Sequence, residues 1–197
     1  MNKVEVEKAA CQAAIPTTVI LPEKFAEFAL DTPALGVEYE SNKIQFIGNS
    51  ASEPLNLCTR SYVGAAYASI FASTPISQLK NQDLALCELR PSGTKIVEAL
   101  TQRLGVAPLS RSESEEHIIQ ALNEAVETIN PFALGLNCRK IWSTEEQAKI
   151  IGDDAWDVGN YSKATVSSLM AESKLKPYRA MPADVRGSFT TLFDQCE

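Results

Sequence analysis

Scarcity narrows this sequence first. Of its 197 residues one is a histidine and five are cysteines, scattered at positions 11, 58, 87, 138 and 196 and nowhere paired as C-x-x-C. An odd, dispersed set of thiols forms neither a disulfide framework nor a zinc-ligand pattern, so no metal site is expected. The nine glycines also stand singly, at 36, 48, 64, 93, 105, 135, 152, 159 and 187. A nucleotide phosphate cradle needs glycines clustered between a strand and a helix, where backbone N–H groups can face the phosphates. Neither G-x-G-x-x-G nor a Walker run occurs, and HExxH, EF-hand and GxSxG patterns are absent as well. No apolar run approaches the roughly 18 residues of a membrane span, and the first residues lack the apolar stretch of a signal peptide, so a cytoplasmic chain is expected. With 18 Lys+Arg against 25 Asp+Glu the formal charge is −7. That balance argues against nucleic acid as a partner.

What is present reads as one globular unit, residues 1–197, with 45% hydrophobic and 22% charged residues. Asn2 with Glu5 forms a capping box for a first helix reaching Ala14. Ile15-Pro16 ends it before a β-rich run, Thr17 to Leu21, expected as a buried strand. Phe25, Phe28, Ala29 and Leu30 make an apolar face on a short helix or loop. Lys43 to Ile47 alternates as a half-buried strand. After an extended piece at Leu55 to Cys58, Thr59 or Ser61 caps a helix carrying Val63, Ala66, Tyr67, Ile70 and Phe71. Asp83 to Leu89 is a strand, and Ser92 opens a helix that Gly105 stops. Ser112 with Glu115 is read as a capping box for a helix with Ile118, Leu122, Ala125 and Ile129 on one stripe. Ser143 with Glu146 opens a short helix ending near Gly152, and a last helix is expected over Asn160 to Ser173. The alternation of strands and helices is that of an α/β layer fold, with helices gathered in the second half. The lone His117 sits early in its helix beside Glu115 and Glu116, where a solvated first-turn residue is expected rather than a member of a catalytic triad.

Several runs, taken in order, resemble one family. Lys3-Val4-Glu5-Val6-Glu7-Lys8-Ala9-Ala10, then Ile15-Pro16-Thr17-Thr18-Val19-Ile20-Leu21-Pro22 and Phe25-Ala26-Glu27-Phe28, are similar to the middle of NmrA-like and isoflavone-reductase-like proteins, which are atypical short-chain dehydrogenases. Leu57 to Gly64 looks like that family's "T-x-x-D-I-G" helix start, with Tyr62 in place of the Asp, and Thr74 to Gln82 also fits. The resemblance extends from residue 3 to about 170, the middle and C-terminal part of the family pattern. It implies a partial Rossmann-like sheet, its second half, with a mostly helical substrate-binding C-terminal region and without the Gly-rich dinucleotide-binding N-terminal half.

The same resemblance implies NADP as cofactor and reduction of a small aromatic or enone-like molecule, as in secondary-metabolite biosynthesis. Lys3 falls on the family's proton-relay lysine, Pro22 and Phe25 on the turn beside the nicotinamide, and Phe25 and Phe28 on the substrate side. Two other readings stand beside the reductase: a non-catalytic, regulatory ligand- or partner-binding protein, and a shortened form of a longer enzyme. An exposed sheet edge is expected where the absent strands would pack, and with it self-association or a partner chain.

Overall fold

The computed structural model describes residues 2–144, 146–147, 155–178 and 182–194. Its elements, in chain order, are α1 (Lys3–Gln12), β1 (Thr18–Pro22), β2 (Lys24–Phe25), α2 (Ala26–Asp31), a 3-10 turn (Pro33–Leu35), β3 (Val37–Glu38), β4 (Lys43–Ile47) and β5 (Leu57–Cys58). There follow α3 (Arg60–Ser73), α4 (Ile76–Leu79), β6 (Gln82–Leu86), α5 (Gly93–Leu104), β7 (Leu109–Glu113), α6 (Glu115–Glu127), α7 (Ala133–Ser143), α8 (Val166–Met170) and α9 (Ala183–Asp194).

Three pairings are parallel: β1 with β6, from Thr18 opposite Gln82 to Pro22 opposite Leu86; β2 with β5; and β4 with β7. Parallel neighbours need a crossover, and the chain between β1 and β6 includes α2, α3 and α4, while that between β4 and β7 includes α3, α4 and α5. β3 runs antiparallel to β4. The architecture is α/β, with small parallel sheets and many helices. The main core gathers Leu30, Leu35, Val37, Ile44, Leu55, Leu57, Ile96, Leu100 and Trp142 between these layers. Gly93 admits a close approach at the start of α5, since a Cβ there would lie 2.5 Å from both Phe46 Cε1 and the Ser50 carbonyl oxygen.

The capping box at Asn2 forms as expected, with Glu5 N–H donating to Asn2 Oδ1 at 2.9 Å and Asn2 N–H donating to Glu5 Oε2 at 2.8 Å. Thr59 and Ser92 cap α3 and α5, and Gly105 ends α5 at φ 71°. Elsewhere the structure departs from the sequence reading. Expected to be buried, β1 leaves Leu21 46% exposed, because β6 is its one strand partner among the described residues and α1 buries none of its side chains. On α3 the inward stripe is Tyr62, Ala66 and Ile70, while Phe71 is exposed: positions four apart stack, and the apolar count alone misplaced the face.

The cap of α6 is Ser114, which accepts from His117 N–H at 3.2 Å; Ser112 belongs to β7, in register with Phe46. Ile129 lies past the end of α6, at φ 54° and exposed. The helix α7 had no counterpart in the sequence reading. The last expected helix shrinks to α8, since Thr165 is its cap and Ala164 N–H is taken by the Glu88 carboxylate at 2.9 Å. The helix expected from Ser143 to near Gly152, and Cys196, lie mostly or wholly outside the described residues. Cys11, Cys58, Cys87 and Cys138 are free thiols. No helix among the described residues is long and apolar enough to cross a membrane.

Candidate active site

The parallel strands β1 and β6 end together at Pro22 and Leu86, and the chain turns there through Glu23 into β2 and α2. In open α/β sheets, ligands bind beyond such carboxyl ends. A cavity of about 650 Å³ opens at this point, lined by Pro22, Glu23, Lys24, Phe25 and Phe28 on one side and by Phe132, Cys138 and Tyr178 on the other. Pro22, Phe25 and Phe28 are thus brought together on one wall of the cavity. Phe28 meets the Tyr178 ring edge-on, with centroids 5.2 Å apart.

The far wall is held by groups the sequence reading passed over. Buried Glu27 accepts from Arg60 N–H at 3.0 and 3.3 Å, a carboxylate at the first turn of α3 where the helix dipole favours it. The Arg60 guanidinium, 3.5 Å from Glu27, then donates to the Pro177 carbonyl at 2.8 Å and the Tyr178 carbonyl at 3.3 Å. Tyr178 N–H donates to Asp31 Oδ2 at 3.2 Å. Glu88, also buried, accepts from Thr59 N–H at 2.7 Å as well as from Ala164 N–H, fastening the α3 start to the segment before α8. Arg60 lies inside the run compared with the family, yet its role depends on residues 177–178, far off in sequence. Tyr178 could have been suspected as an aromatic set beside a proline.

Among the described residues lining this apolar cavity, the charged side chains are one pair. Lys24 Nζ lies 3.5 Å from Glu23 Oε2, and both side chains are largely covered, at 14% and 11% exposure. Burial pushes the Glu23 carboxyl above its ordinary value, against the opposing pull of Lys24 and, more weakly, Arg90. Burial likewise raises the Cys138 thiol, and takes Cys58, behind β2, to about 12.

Lys3 stands apart from the cavity. It is exposed on α1 and lines a separate groove of about 730 Å³ over β1, together with Val6, Ala10 and Thr18 to Glu23. Pro22 and Glu23 border both spaces. A third space, about 810 Å³, lies between α6, α7 and α9 and contains His117, whose Nδ1 is 2.6 Å from Glu113 Oε1. His117 is 55% exposed and on the first turn of α6, as the sequence suggested.

No protein-family model matches the sequence, and no curated protein matches it closely enough to count as a relative. Solved structures do match. An isoflavone reductase superposes with a TM-score of 0.64 at 12% identity, covering 87% of this chain and 57% of its own. A leucoanthocyanidin reductase from Vitis vinifera, in binary complex with NADPH, gives 0.67 at 14% identity over 88% and 60%. An NADPH-dependent quinone oxidoreductase from Escherichia coli, complexed with NADPH, gives 0.51 at 16% over 86% and 58%. The chain therefore spans less than two thirds of the length of each. At these identities the likeness is one of fold, and the fold of this chain is that of the isoflavone-reductase-like proteins its motifs resemble.

Proposed function

We propose that this chain forms the substrate-binding part, with half of the sheet, of an NADP-dependent reductase that acts on a small aromatic or enone-like molecule in secondary-metabolite biosynthesis in the cytoplasm. One observation carries the reading: an apolar, aromatic-lined cavity lies at the carboxyl end of the parallel pair β1–β6, where Pro22, Phe25 and Phe28 converge. Phe28, Phe132 and Tyr178 line the cavity together, an aromatic surface suited to a planar aromatic ring.

The residues present fit one end of the cofactor. Pro22 and Phe25 would hold the nicotinamide ring where the β1 groove and the cavity meet, and no set of closely spaced glycines in this sequence would hold the diphosphate. When bound, a reduced nicotinamide supplies a hydride. The chain's own work is to exclude water with its aromatic wall, to orient the substrate and to move a proton. The resemblance gives the proton work to Lys3, which lines the β1 groove and not the cavity, so its part is that of an outer relay.

The phosphate-binding half is read as a strand-and-helix unit on the open edge of β1. Supporting this, Val19 to Leu21 form a continuous apolar strand that is only half covered, and Val4 and Val6 on α1 are more than half exposed. That unit is further sequence or a partner chain, and without it the edge drives self-association. Sedimentation as a clean monomer with little binding of a hydrophobic dye counts against this part. A second reading, ligand binding without turnover, is favoured by the exposure of Lys3. Titrating NADPH into the purified chain and following nicotinamide fluorescence tests the proposal: enhancement at millimolar cofactor is expected, and none at all removes the reductase reading for this chain. Lys3→Ala abolishing turnover supports the relay, and unchanged rates remove it.

A further inference from the structure

The reductase reading leaves one feature of the cavity unused: a carboxylate and an ammonium planted side by side in an aromatic wall. An ion pair removed from water contributes little to stability, because desolvation offsets the mutual attraction. A pair that lines a cavity is more informative than one packed in a core, since one side of it faces whatever fills the space. Glu23 is the residue immediately past the end of β1, and its N–H donates to the Leu86 carbonyl at 3.2 Å, which holds its backbone at the carboxyl end of the β1–β6 pair. It borders both the β1 groove and the aromatic cavity.

We propose that Glu23 is the proton donor of this site, delivering its carboxyl proton to the carbonyl oxygen of a substrate held against Phe25, Phe28 and Phe132, with Lys24 holding the carboxylate that remains. The proposal rests on the reductase reading and names its acid. A reduced nicotinamide, when bound, would supply a hydride to the substrate carbon, and the electron pair of the carbonyl π bond, relayed through the C=C bond in an enone, would then move to oxygen. The Glu23 O–H bond breaks, a new O–H bond forms on that oxygen, and the bonding pair stays on Glu23, 3.5 Å from the Lys24 ammonium. Burial raises the Glu23 carboxyl above its ordinary value, which favours the proton-bearing form. Lys3 lines the same groove as Glu23, so a relay through Lys3 recharges Glu23 rather than reaching the substrate directly. Among the described residues, the titratable groups around Glu23 are Lys24 on β2, Cys58 on β5, Arg90 after β6 and Cys138 on α7, and Lys3 and Glu7 on α1 line the groove it shares.

The test needs no turnover. Benzylideneacetone, a planar aromatic enone, is titrated against the chain by calorimetry from pH 5 to pH 8. A neutral Glu23 donates to the probe's carbonyl oxygen and an ionised one repels it, so affinity falls as pH rises through the Glu23 titration, by about tenfold in all. Glu23→Gln, whose amide still donates, should bind at the low-pH affinity with a flat profile. Lys24→Met, which leaves the carboxyl without its partner, should move the fall to higher pH. In the unaltered chain the Glu23 side-chain carbon resonance should titrate at higher pH when saturated with probe than when free. A flat profile with the probe bound, a Glu23→Gln profile as steep as the parent's, or an unmoved carboxyl titration each overturn the acid role while leaving the pocket intact. Absence of probe binding at every pH overturns the reductase reading, and the acid role with it.

Discussion

Replacing Glu27 probes how the cavity wall is held. Its carboxylate is 3% exposed and takes the Arg60 N–H at 3.0 and 3.3 Å, at the start of α3. In Glu27→Ala that N–H loses its acceptor in a part-buried place, a loss of about 1 to 3 kcal/mol. The favourable placement of negative charge at a helix N-terminus goes too, about 0.3 to 1 kcal/mol. The sum is about 1.3 to 4 kcal/mol of stability, read as a lower urea midpoint at unchanged slope. Glu27→Gln keeps an oxygen at the N–H and gives up the charge, so it should cost about 1 kcal/mol. Because Arg60 bridges Glu27 to the Pro177 and Tyr178 carbonyls, hydrogen exchange at Tyr178 should quicken in Glu27→Ala by more than global destabilisation explains. A Glu27→Ala midpoint within about 0.5 kcal/mol of the parent would refute the reasoning, since that is the range of a surface substitution with no partner.

Gly93→Ala forces a Cβ to within 2.5 Å of Phe46 and the Ser50 carbonyl and 2.9 Å of Ala51 Cα, so thermal unfolding should show a loss of about 1 to 3 kcal/mol from overpacking. Ser114→Ala should cost about 1 kcal/mol through the lost cap of α6, whereas Ser112→Ala should stay within about 0.5 kcal/mol; equal effects would return the cap to Ser112. Thiol alkylation followed by peptide mapping at pH 8 should label exposed Cys11 far ahead of Cys58 and Cys138. Raised thiol pKa values leave those two with less thiolate at any given pH, and rapid labelling of Cys58 would contradict its place behind β2.

Much of the fold was legible where local chemistry decides it. Asn2 with Glu5, Thr59, Ser92 and Gly105 each bond within their own turn, so spacing alone placed them. Ser112 misled because Ser114, two residues on, offers the same hydroxyl, and the choice between them is made by the pairing of β7 with β4. The helix α7 was missed although Leu136, Arg139 and Trp142 recur at helical spacing, for Arg139 is a buried arginine and breaks the apolar stripe. It sits against Gln45 and Glu113, a polar partnership no periodicity reveals. Of the site, the near wall from Pro22 to Phe28 was legible by resemblance. The far wall was not, because Phe132 and Tyr178 reach it from distant segments and Arg60 acts through backbone carbonyls, which carry no residue signature.

The central claim is that an aromatic, carbonyl-bearing small molecule occupies the cavity at the carboxyl end of β1. Amide and side-chain chemical shifts recorded during a titration with benzylideneacetone test this most directly. Saturable shifts concentrated at Phe25, Phe28, Cys138 and Tyr178 are expected, with Lys3 and His117 unmoved. Shifts centred instead on Glu113, His117 and Thr128 in the space between α6 and α7, or no saturable shift at all, would contradict it.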